Sequence, residues 1–398
     1  MNTQDFIALE DKYGAHNYHP LDVVISEADG IWVKDVEGKK YMDCLAAYSA
    51  VNQGHCHPDI YDAFVKQAKK VTLTSRAFRN DQLPRLYAKL HDMTDFEMSL
   101  PMNSGAEAVE TAIKTARRWA YDVKGVPENK AEIIVVDGNF HGRTTTIVGF
   151  STDPTSYKGY GPFTPGFKIA KYGNIEDIIK NINENTAAVM IEPIQGEGGI
   201  VIPPEGYLKN LQELCKDNNV LFILDEIQSG LGRTGKLFAY EWEDAKPDML
   251  IIGKALSGGF YPVSAVLSSK DILGVIKPGE HGSTFGGNPL GAAVAIAALE
   301  VIEKENLVER SHELGNYFME KLRAIDSPHI VKVRGRGLWI GFVLDTKARP
   351  YCEKLKEEGI LAKETHENII RFAPPLVISK EDIDWAAEKI EKVVKSLD

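Results

Sequence analysis

Several reactive side chains of this sequence stand at or just beyond the ends of short apolar runs. They are Lys254 after MLII, Asp225 and Gln228 at and after the end of VLFIL, Glu192 and Glu197 after AAVMI, and Phe140, His141 and Arg143 after IIVV. Ligands of open parallel sheets bind beyond the carboxyl ends of the strands. If the runs are neighbouring strands, one site therefore gathers an amine nucleophile, carboxylates, a guanidinium group and an aromatic ring.

Lys254 is the candidate nucleophile. It is the only charged residue in the stretch 249–269, so we expect it to be partly desolvated, which lowers a lysine pKa and makes the amine nucleophilic. Gly253 before it and Gly258 after it leave room for a bulky group. The competing interpretation is a surface lysine whose aliphatic stem lies along the protein.

Asp225 ends a strand that we expect to be buried, and a buried carboxylate needs a cationic or N–H partner. A protonated pyridine nitrogen would be such a partner. A Schiff-base lysine together with an aspartate facing a pyridinium nitrogen is the minimal protein contribution to pyridoxal phosphate (PLP) chemistry. Phe140 with His141 could stack on the ring, or could be an ordinary core aromatic. A helix-capping role explains Asp225, taken singly, equally well.

A phosphate cradle is predicted at the start of a helix. Ser104, Gly105 and Ala106 precede apolar residues that recur at helical spacing from Val109. Their backbone N–H groups would point at an anion, with the helix dipole behind them. Ser104 could equally be only an N-cap.

The elements that must position these residues follow from the apolar pattern. The runs IIVV, AAVMI, VLFIL, MLII and VSAVL alternate with amphipathic segments between Met98 and Lys270, which predicts a parallel sheet with helical crossovers. A length of 398 residues favours two domains. After an Ala-rich helix around 292–302 the pattern changes to that of a small α+β domain, with a boundary near Gly286. Its last helix begins at Ser379 with Asp382 in a capping box.

Composition excludes several classes of protein. With 46 basic and 57 acidic residues the net charge is −11, so we expect neither nucleic-acid nor membrane binding. The beginning of the sequence shows no signal or transit peptide and no run is long enough to span a bilayer. Four scattered cysteines predict free thiols and a cytoplasmic location. No metal is expected, since His55, Cys56 and His57 lack a second ligand pair at zinc spacing.

A glycine-rich segment, 230–235, offers a different function. It reads G-x-G-x-x-G and, with Lys236, G-x-x-x-x-G-K, which are the patterns of dinucleotide and phosphate loops. However, five residues, 225–229, stand between the VLFIL run and Gly230, whereas the first glycine of a dinucleotide turn sits at the strand end. Leu237 also stands where an NTPase needs a hydroxyl. A dehydrogenase or NTPase therefore remains a remote alternative to a PLP enzyme. A binding module without catalytic activity is a further alternative.

Four motifs together resemble the class III PLP-dependent aminotransferases: NSGAEA from Asn103, EPIQGEGG from Glu192, LDEIQSGLGRTGK from Leu224 and GKALSGG from Gly253. The resemblance covers nearly the whole chain. It implies the α/β fold of PLP-dependent transferases of fold type I, with a mostly parallel sheet in a large domain and a smaller α+β domain built from the chain ends. The implied bounds are 51–286 for the large domain, 287–398 for the small domain, and 1–50 for a segment that contributes to the small domain and the site.

The same resemblance implies roles for individual residues. Lys254 would bond covalently to PLP, Asp225 would contact the pyridine nitrogen, Gln228 the ring hydroxyl, and Phe140 and His141 the ring. Ser104, Gly105 and Ala106 would bind the phosphate. Thr284, in GSTFGGNP, would complete the phosphate site of the neighbouring subunit, which implies a homodimer.

Two further stretches, YGAHNYHPL from Tyr13 and YSAVNQGHCHP from Tyr48, resemble the members of this family that act on ornithine. They imply transfer of the δ-amino group of L-ornithine to 2-oxoglutarate, a reaction of proline and arginine metabolism that yields glutamate and glutamate-5-semialdehyde, the precursor of pyrroline-5-carboxylate. Tyr18 and Arg143 would hold the α-carboxylate of ornithine, and Tyr48 would line the pocket. Glu197 would mask Arg371 until 2-oxoglutarate needs it.

Some alternatives stay open at this point. Family members that act on acetylornithine or 4-aminobutyrate would share Lys254, Asp225 and Glu197, and only Tyr18 and Tyr48 favour ornithine. Without the resemblance, Arg371 in NIIRFAPP could be merely structural.

Overall fold

A computed structural model describes residues 1–397. Over this range the strands are β1 Ile25–Asp29, β2 Trp32–Asp35, β3 Lys40–Asp43, β4 Met98–Met102, β5 Glu132–Val136, β6 Phe167–Ala170, β7 Thr186–Ile191, β8 Leu221–Asp225, β9 Met249–Ile252, β10 Ser264–Ser268, β11 Ile330–Arg336, β12 Trp339–Leu344, β13 Ile360–Leu361, β14 Lys363–Thr365 and β15 Ile369–Phe372.

The helices over the same range are α1 Thr3–Tyr13, α2 Ala46–Ser49, α3 Pro58–Ala68, α4 Leu83–Thr94, α5 Gly105–Trp119, α6 Thr145–Val148, α7 Pro154–Tyr157, α8 Ile175–Asn181, α9 Tyr207–Asp217, α10 Lys270–Leu273, α11 Pro289–Lys304, α12 Leu307–Arg323, α13 Arg349–Glu357 and α14 Lys380–Lys395. Short 3₁₀ turns span Ala239–Trp242 and Lys254–Ser257, and a π turn, Ala120–Lys124, extends α5. Within residues 1–397, none of these helices combines the length and the apolar character that crossing a membrane requires.

The large sheet has the strand order β4-β10-β9-β8-β7-β5-β6. The predicted strands β5, β7, β8 and β9 are confirmed, and each is parallel to its neighbours among them. The expectation of a parallel strand at VSAVL is wrong, because β10 runs antiparallel to both β4 and β9. Only residues 253–263 join β9 to β10, and a parallel crossover needs about a dozen residues or more.

Both faces of this sheet are covered, which explains why its central strands are apolar throughout. Every residue of β7, β8 and β9 is buried. Ile223 lies in the apolar cluster of the α5 side chains on one face, whereas Phe222 lies in the cluster of the α9 side chains on the other. The sequence pattern did not reveal β4, which contains Pro101, or the half-exposed edge strand β6, because both depart from the continuous apolar run typical of a buried parallel strand.

Two four-stranded sheets flank the large one, in the orders β1-β2-β3-β13 and β11-β12-β15-β14. In the first, β13 pairs in parallel with β3 and so joins the two ends of the chain. The predicted capping box of the last helix is confirmed, since Ser379 Oγ accepts from Asp382 N and the Asp382 carboxylate accepts from Ser379 N. The chain thus forms a mixed α/β fold with one large, mostly parallel sheet and smaller accompanying sheets.

The glycine-rich segment 230–235 lies inside the protein rather than at a ligand site. Arg233 is wholly buried, and its guanidinium group donates to Leu338 O at 2.8 Å, Pro374 O at 2.7 Å and Asn52 Oδ1 at 2.5 Å. Burial lowers the pKa of Arg233 to about 9. A nucleotide phosphate would have to displace this packing, so the structure disfavours the dehydrogenase and NTPase alternatives.

Candidate active site

A cavity of about 200 Å³ opens where β7, β8 and β9 end. Its lining residues include Gly105, Ala106, Phe140, His141, Asp225, Gln228 and Lys254. A second cavity of about 350 Å³, which Ser104 also lines, shares Gly105 and Lys254 with the first. The strand ends therefore bring together the lysine, the aspartate, the aromatic pair and the predicted phosphate cradle.

Lys254 begins a one-turn 3₁₀ helix directly after β9 and has a φ of 43°. Such a left-handed conformation is uncommon for a residue other than glycine, and it is often found at functional sites. Burial lowers the pKa of Lys254 to about 8, with Arg371 acting in the same direction and Glu197 in the opposite one. A neutral, nucleophilic amine is thus accessible close to physiological pH.

Asp225 is 5% exposed and is held by hydrogen bonds on both carboxylate oxygens. His141 Nδ1 lies 2.7 Å from Asp225 Oδ2, and Ile227 N donates to Asp225 Oδ1 at 3.1 Å. Although burial opposes a charged ring, the hydrogen bond and charge of Asp225 raise the pKa of His141. Within the described residues, His141 Nε2 is buried and has no partner. The imidazole therefore orients the carboxylate from behind.

Glu192 lies directly behind the His141–Asp225 pair. Its sequence position after β7 predicted that it lies at the site, but not what it contacts there. Its carboxylate accepts from Phe140 N at 2.9 Å and from Gly196 N at 3.2 Å. Burial raises the pKa of Glu192 to about 7. Glu192 thus fixes the backbone on which Phe140 stands and the start of the loop that carries Glu197.

The cradle at the start of α5 is built by a capping box. Ser104 Oγ accepts from Glu107 N at 3.3 Å, and the Glu107 carboxylate accepts from Ser104 N at 2.8 Å, so Ser104 is an N-cap. A Cβ atom at Gly105 would lie 2.9 Å from Ile227 Cδ1. The absence of a side chain at Gly105 therefore lets the first turn of α5 approach the cavity.

Gln228 connects the cavity to the loop after β7. Its Nε2 donates to Glu197 Oε1 at 3.2 Å. In the part of the chain that is described, its Oε1 is buried without a partner. A buried amide oxygen facing the cavity can accept a hydrogen bond from a ligand hydroxyl.

Glu197 and Arg371 form an ion pair beside the cavity. Arg371 Nη1 donates to Glu197 Oε1 at 3.1 Å and to Gly196 O at 3.2 Å, and Arg371 is only 2% exposed. The Arg371 pair with Glu197 lowers the carboxyl pKa of Glu197 against the opposing effect of burial. The Arg371 guanidinium also lies 4.8 Å from the centroid of the Tyr48 ring.

Three of the predicted residues lie at the surface of the single chain. Tyr18 is 75% exposed, and Thr284 is exposed on the loop before α11. Arg143 is exposed as well, with its guanidinium 5.7 Å from the Phe140 ring centroid. The structure does not bring Tyr18 or Thr284 into the lining of either cavity.

Sequence reasoning missed the residues that hold the Glu197 loop. Arg334 donates from Nε and Nη2 to Gly199 O at 3.0 and 2.8 Å, and Thr365 Oγ1 donates to Glu197 O at 2.8 Å. Both donors are far from Glu197 in the chain, on β11 and β14. No local pattern could have indicated these contacts, since each depends on how distant strands pack.

The donors and the space in the site fit PLP. Lys254 offers an amine for a covalent bond, and Asp225 offers an anion for a pyridinium nitrogen. Gln228 offers a free acceptor for a hydroxyl. The first turn of α5 offers backbone N–H groups for a phosphate. An α/β fold with this site at the carboxyl ends of its parallel strands defines a PLP-dependent enzyme.

Comparison with known proteins identifies the family. Residues 13–394 match the family described as aminotransferase class-III, and the chain belongs to this family of PLP-dependent transaminases. A relative from Brevibacillus brevis named ornithine aminotransferase is 64% identical over 392 residues, 98% of each chain. The crystal structure of an ornithine aminotransferase from Toxoplasma gondii matches with a TM-score of 0.98 at 44% identity, over 100% of this chain and 96% of that one. An acetylornithine aminotransferase structure from Elizabethkingia anophelis matches with a TM-score of 0.91 at 50% identity, over 100% of both chains.

Proposed function

We propose that this protein transfers the δ-amino group of L-ornithine to 2-oxoglutarate, giving glutamate-5-semialdehyde and glutamate. The observation that carries the proposal is the Glu197–Arg371 ion pair. While Glu197 occupies Arg371, an α-amino acid cannot place its carboxylate there, which favours a donor with its reacting amine at the far end. The naming of the Brevibacillus brevis and Toxoplasma gondii relatives supports ornithine as that donor.

The cofactor would be held by residues of both cavities. Lys254 would bond to it, Asp225 would pair with its ring nitrogen, and Gln228 would accept from its hydroxyl. Phe140 and His141 would contact the ring, and Ser104, Gly105 and Ala106 would bind the phosphate. When bound, PLP supplies an electron sink that stabilises negative charge on the substrate carbon.

The protein residues supply orientation and proton transfer. Lys254 Nζ, once it is free, would move a proton between the substrate carbon and the cofactor, and a pKa of about 8 suits a general base near neutral pH. His141 holds Asp225 in place through the 2.7 Å hydrogen bond. Asp225 in turn stays available to a positively charged ring nitrogen, because within residues 1–397 its other oxygen accepts a backbone N–H alone.

The two substrates would use the arginines differently. Arg143 and Tyr18 bind the α-carboxylate of ornithine, which leaves the δ-amino group near Lys254. For 2-oxoglutarate, Glu197 swings away, Arg371 binds the α-carboxylate, and Arg143 takes the distal carboxylate. Paired guanidinium–carboxylate hydrogen bonds suit both tasks. Tyr48 would line this part of the pocket, since its ring centroid lies 4.8 Å from the Arg371 guanidinium.

We further propose a homodimer in which Thr284 reaches the phosphate site of the neighbouring subunit. The exposure of Thr284 and of Phe285, which is 46% exposed in the single chain, supports burial of this loop by a partner. The domain bounds 1–50, 51–286 and 287–398 are part of the same proposal, supported by the pairing of β3 with β13. Free cysteines at all four positions are compatible with a cytoplasmic location.

The test is the visible absorption spectrum of the purified protein before and after addition of L-ornithine without a keto acid. A yellow band that ornithine bleaches, and that acetylornithine and 4-aminobutyrate bleach much more slowly, is expected. Faster bleaching by acetylornithine would instead favour the function named for the Elizabethkingia anophelis structure. A protein that stays colourless with PLP would overturn the proposal.

A further inference from the structure

The loop that carries Glu197 is fixed by contacts to its backbone. We define the Glu197 loop as residues 195–201. Its two ends pair with each other, since Gln195 N donates to Val201 O at 3.0 Å and Val201 N donates to Gln195 O at 3.0 Å. Ile200 is wholly buried at a φ of 58°, a strained conformation for a β-branched residue. Such strain persists only where the surroundings determine the backbone firmly.

The surroundings that do so come from the sheet of β11, β12, β15 and β14. A Cβ atom at Gly341 on β12 would lie 2.8 Å from Gly199 O, and one at Gly199 would lie 2.4 Å from Ile369 Cδ1. Three donors of this sheet then reach the loop backbone: Arg334 contacts Gly199 O, Thr365 contacts Glu197 O, and Arg371 contacts Gly196 O. The sheet that presents Arg371 is therefore also the platform on which the Glu197 loop rests.

Arg334 makes the strongest of these contacts. Its Nε and Nη2 donate to the same carbonyl oxygen at 3.0 and 2.8 Å, and these are the hydrogen bonds of its side chain within the described residues. A half-buried guanidinium group usually pairs with a carboxylate. Here it is used to hold a backbone oxygen two residues beyond Glu197, and charge-assisted donation makes that contact stronger than a neutral hydrogen bond.

We infer that Arg334 is a positioning residue for the Glu197–Arg371 pair, which keeps the Glu197 loop in register while the Glu197 side chain leaves and returns. The Glu197 carboxylate must release Arg371 for one substrate and mask it again for the other. It can do so reproducibly only if the backbone stays in place. Arg334 therefore sets how strongly the enzyme prefers an ω-amino donor to an α-amino acid. Thr365 assists in the same role through Glu197 O.

The first test does not depend on turnover. Hydrogen exchange of the peptide covering 195–201 is measured on the holoenzyme carrying Arg334→Met, Arg334→Lys or Thr365→Val. About tenfold faster exchange is expected for Arg334→Met, with smaller increases for the other two, since one charge-assisted contact is lost. The matched control is Arg336→Met on the same strand, whose guanidinium instead lies 4.5 Å from the Trp242 ring centroid. Unchanged exchange in Arg334→Met would overturn the inference.

The second test rests on the proposed function. Half-reaction rates with L-ornithine and with L-glutamate are measured separately, and Arg334→Met is expected to lower the ornithine-to-glutamate ratio about tenfold. In a Glu197→Ala background the same substitution should leave the ratio unchanged, because the side chain that the loop positions is gone. Equal changes in both backgrounds would contradict the positioning role. A wild-type enzyme that does not react with ornithine would instead refute the proposed function, and the exchange measurement would still decide the role of Arg334.

Discussion

Arg371 Nη1 lies 3.1 Å from Glu197 Oε1, although the two residues are 174 positions apart in the chain. Arg371 lies on β15 in one of the small sheets, whereas Glu197 lies in the loop that follows β7 of the large sheet. The Arg371 guanidinium is thus already occupied by a carboxylate of the protein. Any substrate carboxylate must compete with Glu197 for it.

The competition leads to the first prediction. Glu197→Ala should make the half-reaction with L-glutamate faster by about tenfold or more, because Arg371 no longer has a charged partner within the protein. Rapid-mixing absorbance measurements with each amino acid alone test this. Glu197→Gln, which keeps the shape and loses the charge, should give an intermediate rate. Identical rates in all three proteins would show that the pair does not control access.

Lys254→Ala should abolish turnover. Loss of a positioned acid–base group costs about 10²- to 10⁴-fold in rate, and the covalent bond to the cofactor is lost as well. Steady-state assays with ornithine and 2-oxoglutarate provide the measurement. Lys254→Arg, which keeps the positive charge but cannot exchange a proton near neutral pH, should be similarly inactive. Substantial activity in either variant would refute the role assigned to Lys254.

The rate at which the apo-protein captures PLP should depend on pH with a midpoint near the Lys254 pKa of about 8. Burial disfavours the ammonium form, so the neutral amine, which is the nucleophile, predominates above this pH and the rate should level off there. The capture rate is measured by stopped-flow absorbance from pH 6 to about 10. This range lies below about 10.4, the pKa of an ordinary lysine, so a midpoint near 8 would be distinguishable. A rate that keeps rising throughout would indicate an unperturbed lysine.

Thr284→Ala should accelerate the loss of PLP from the dimer about tenfold, because one hydroxyl contact to the phosphate disappears. Dialysis followed by absorbance gives the retained fraction, and gel filtration confirms that the assembly is unchanged. Thr284→Ser should behave like the wild type. Ser283→Ala is a neighbouring control, since Ser283 Oγ already accepts from Asn103 Nδ2 at 2.8 Å. Equal PLP retention in Thr284→Ala and wild type would contradict the proposed contact.

Arg233→Met should destabilise the fold without touching the site. It leaves Leu338 O and Pro374 O buried without their donor, at a cost of about 1–3 kcal/mol each. Denaturant unfolding should therefore show a decrease of about 3 kcal/mol or more. Lys236→Met, three positions further along the chain, where Lys236 is exposed over the Trp242 ring, should change stability by less than about 1 kcal/mol. Similar losses in both variants would argue against the buried network as the cause.

The chemistry of the site could be predicted from the sequence because it follows local patterns. Apolar runs of strand length ended at Asp225 and shortly before Lys254, and helical spacing after Ser104 indicated α5. These features depend on residues close together in the chain. The same locality explains the wrong direction predicted for β10, since strand direction depends on the length of a connection and on its partners.

Local sequence determined which residues carry reactive groups, which segments form strands and helices, and which edge of the sheet holds the site. The family resemblance already implied the Glu197–Arg371 pair, but only the tertiary structure decided the geometry of that contact, the hydrogen bonds by which Arg334 holds the Glu197 loop, and the burial of the glycine-rich segment around Arg233. Each of these contacts joins elements distant in the chain. Their geometry is fixed by how sheets pack against one another, and no local pattern of residue types encodes that packing.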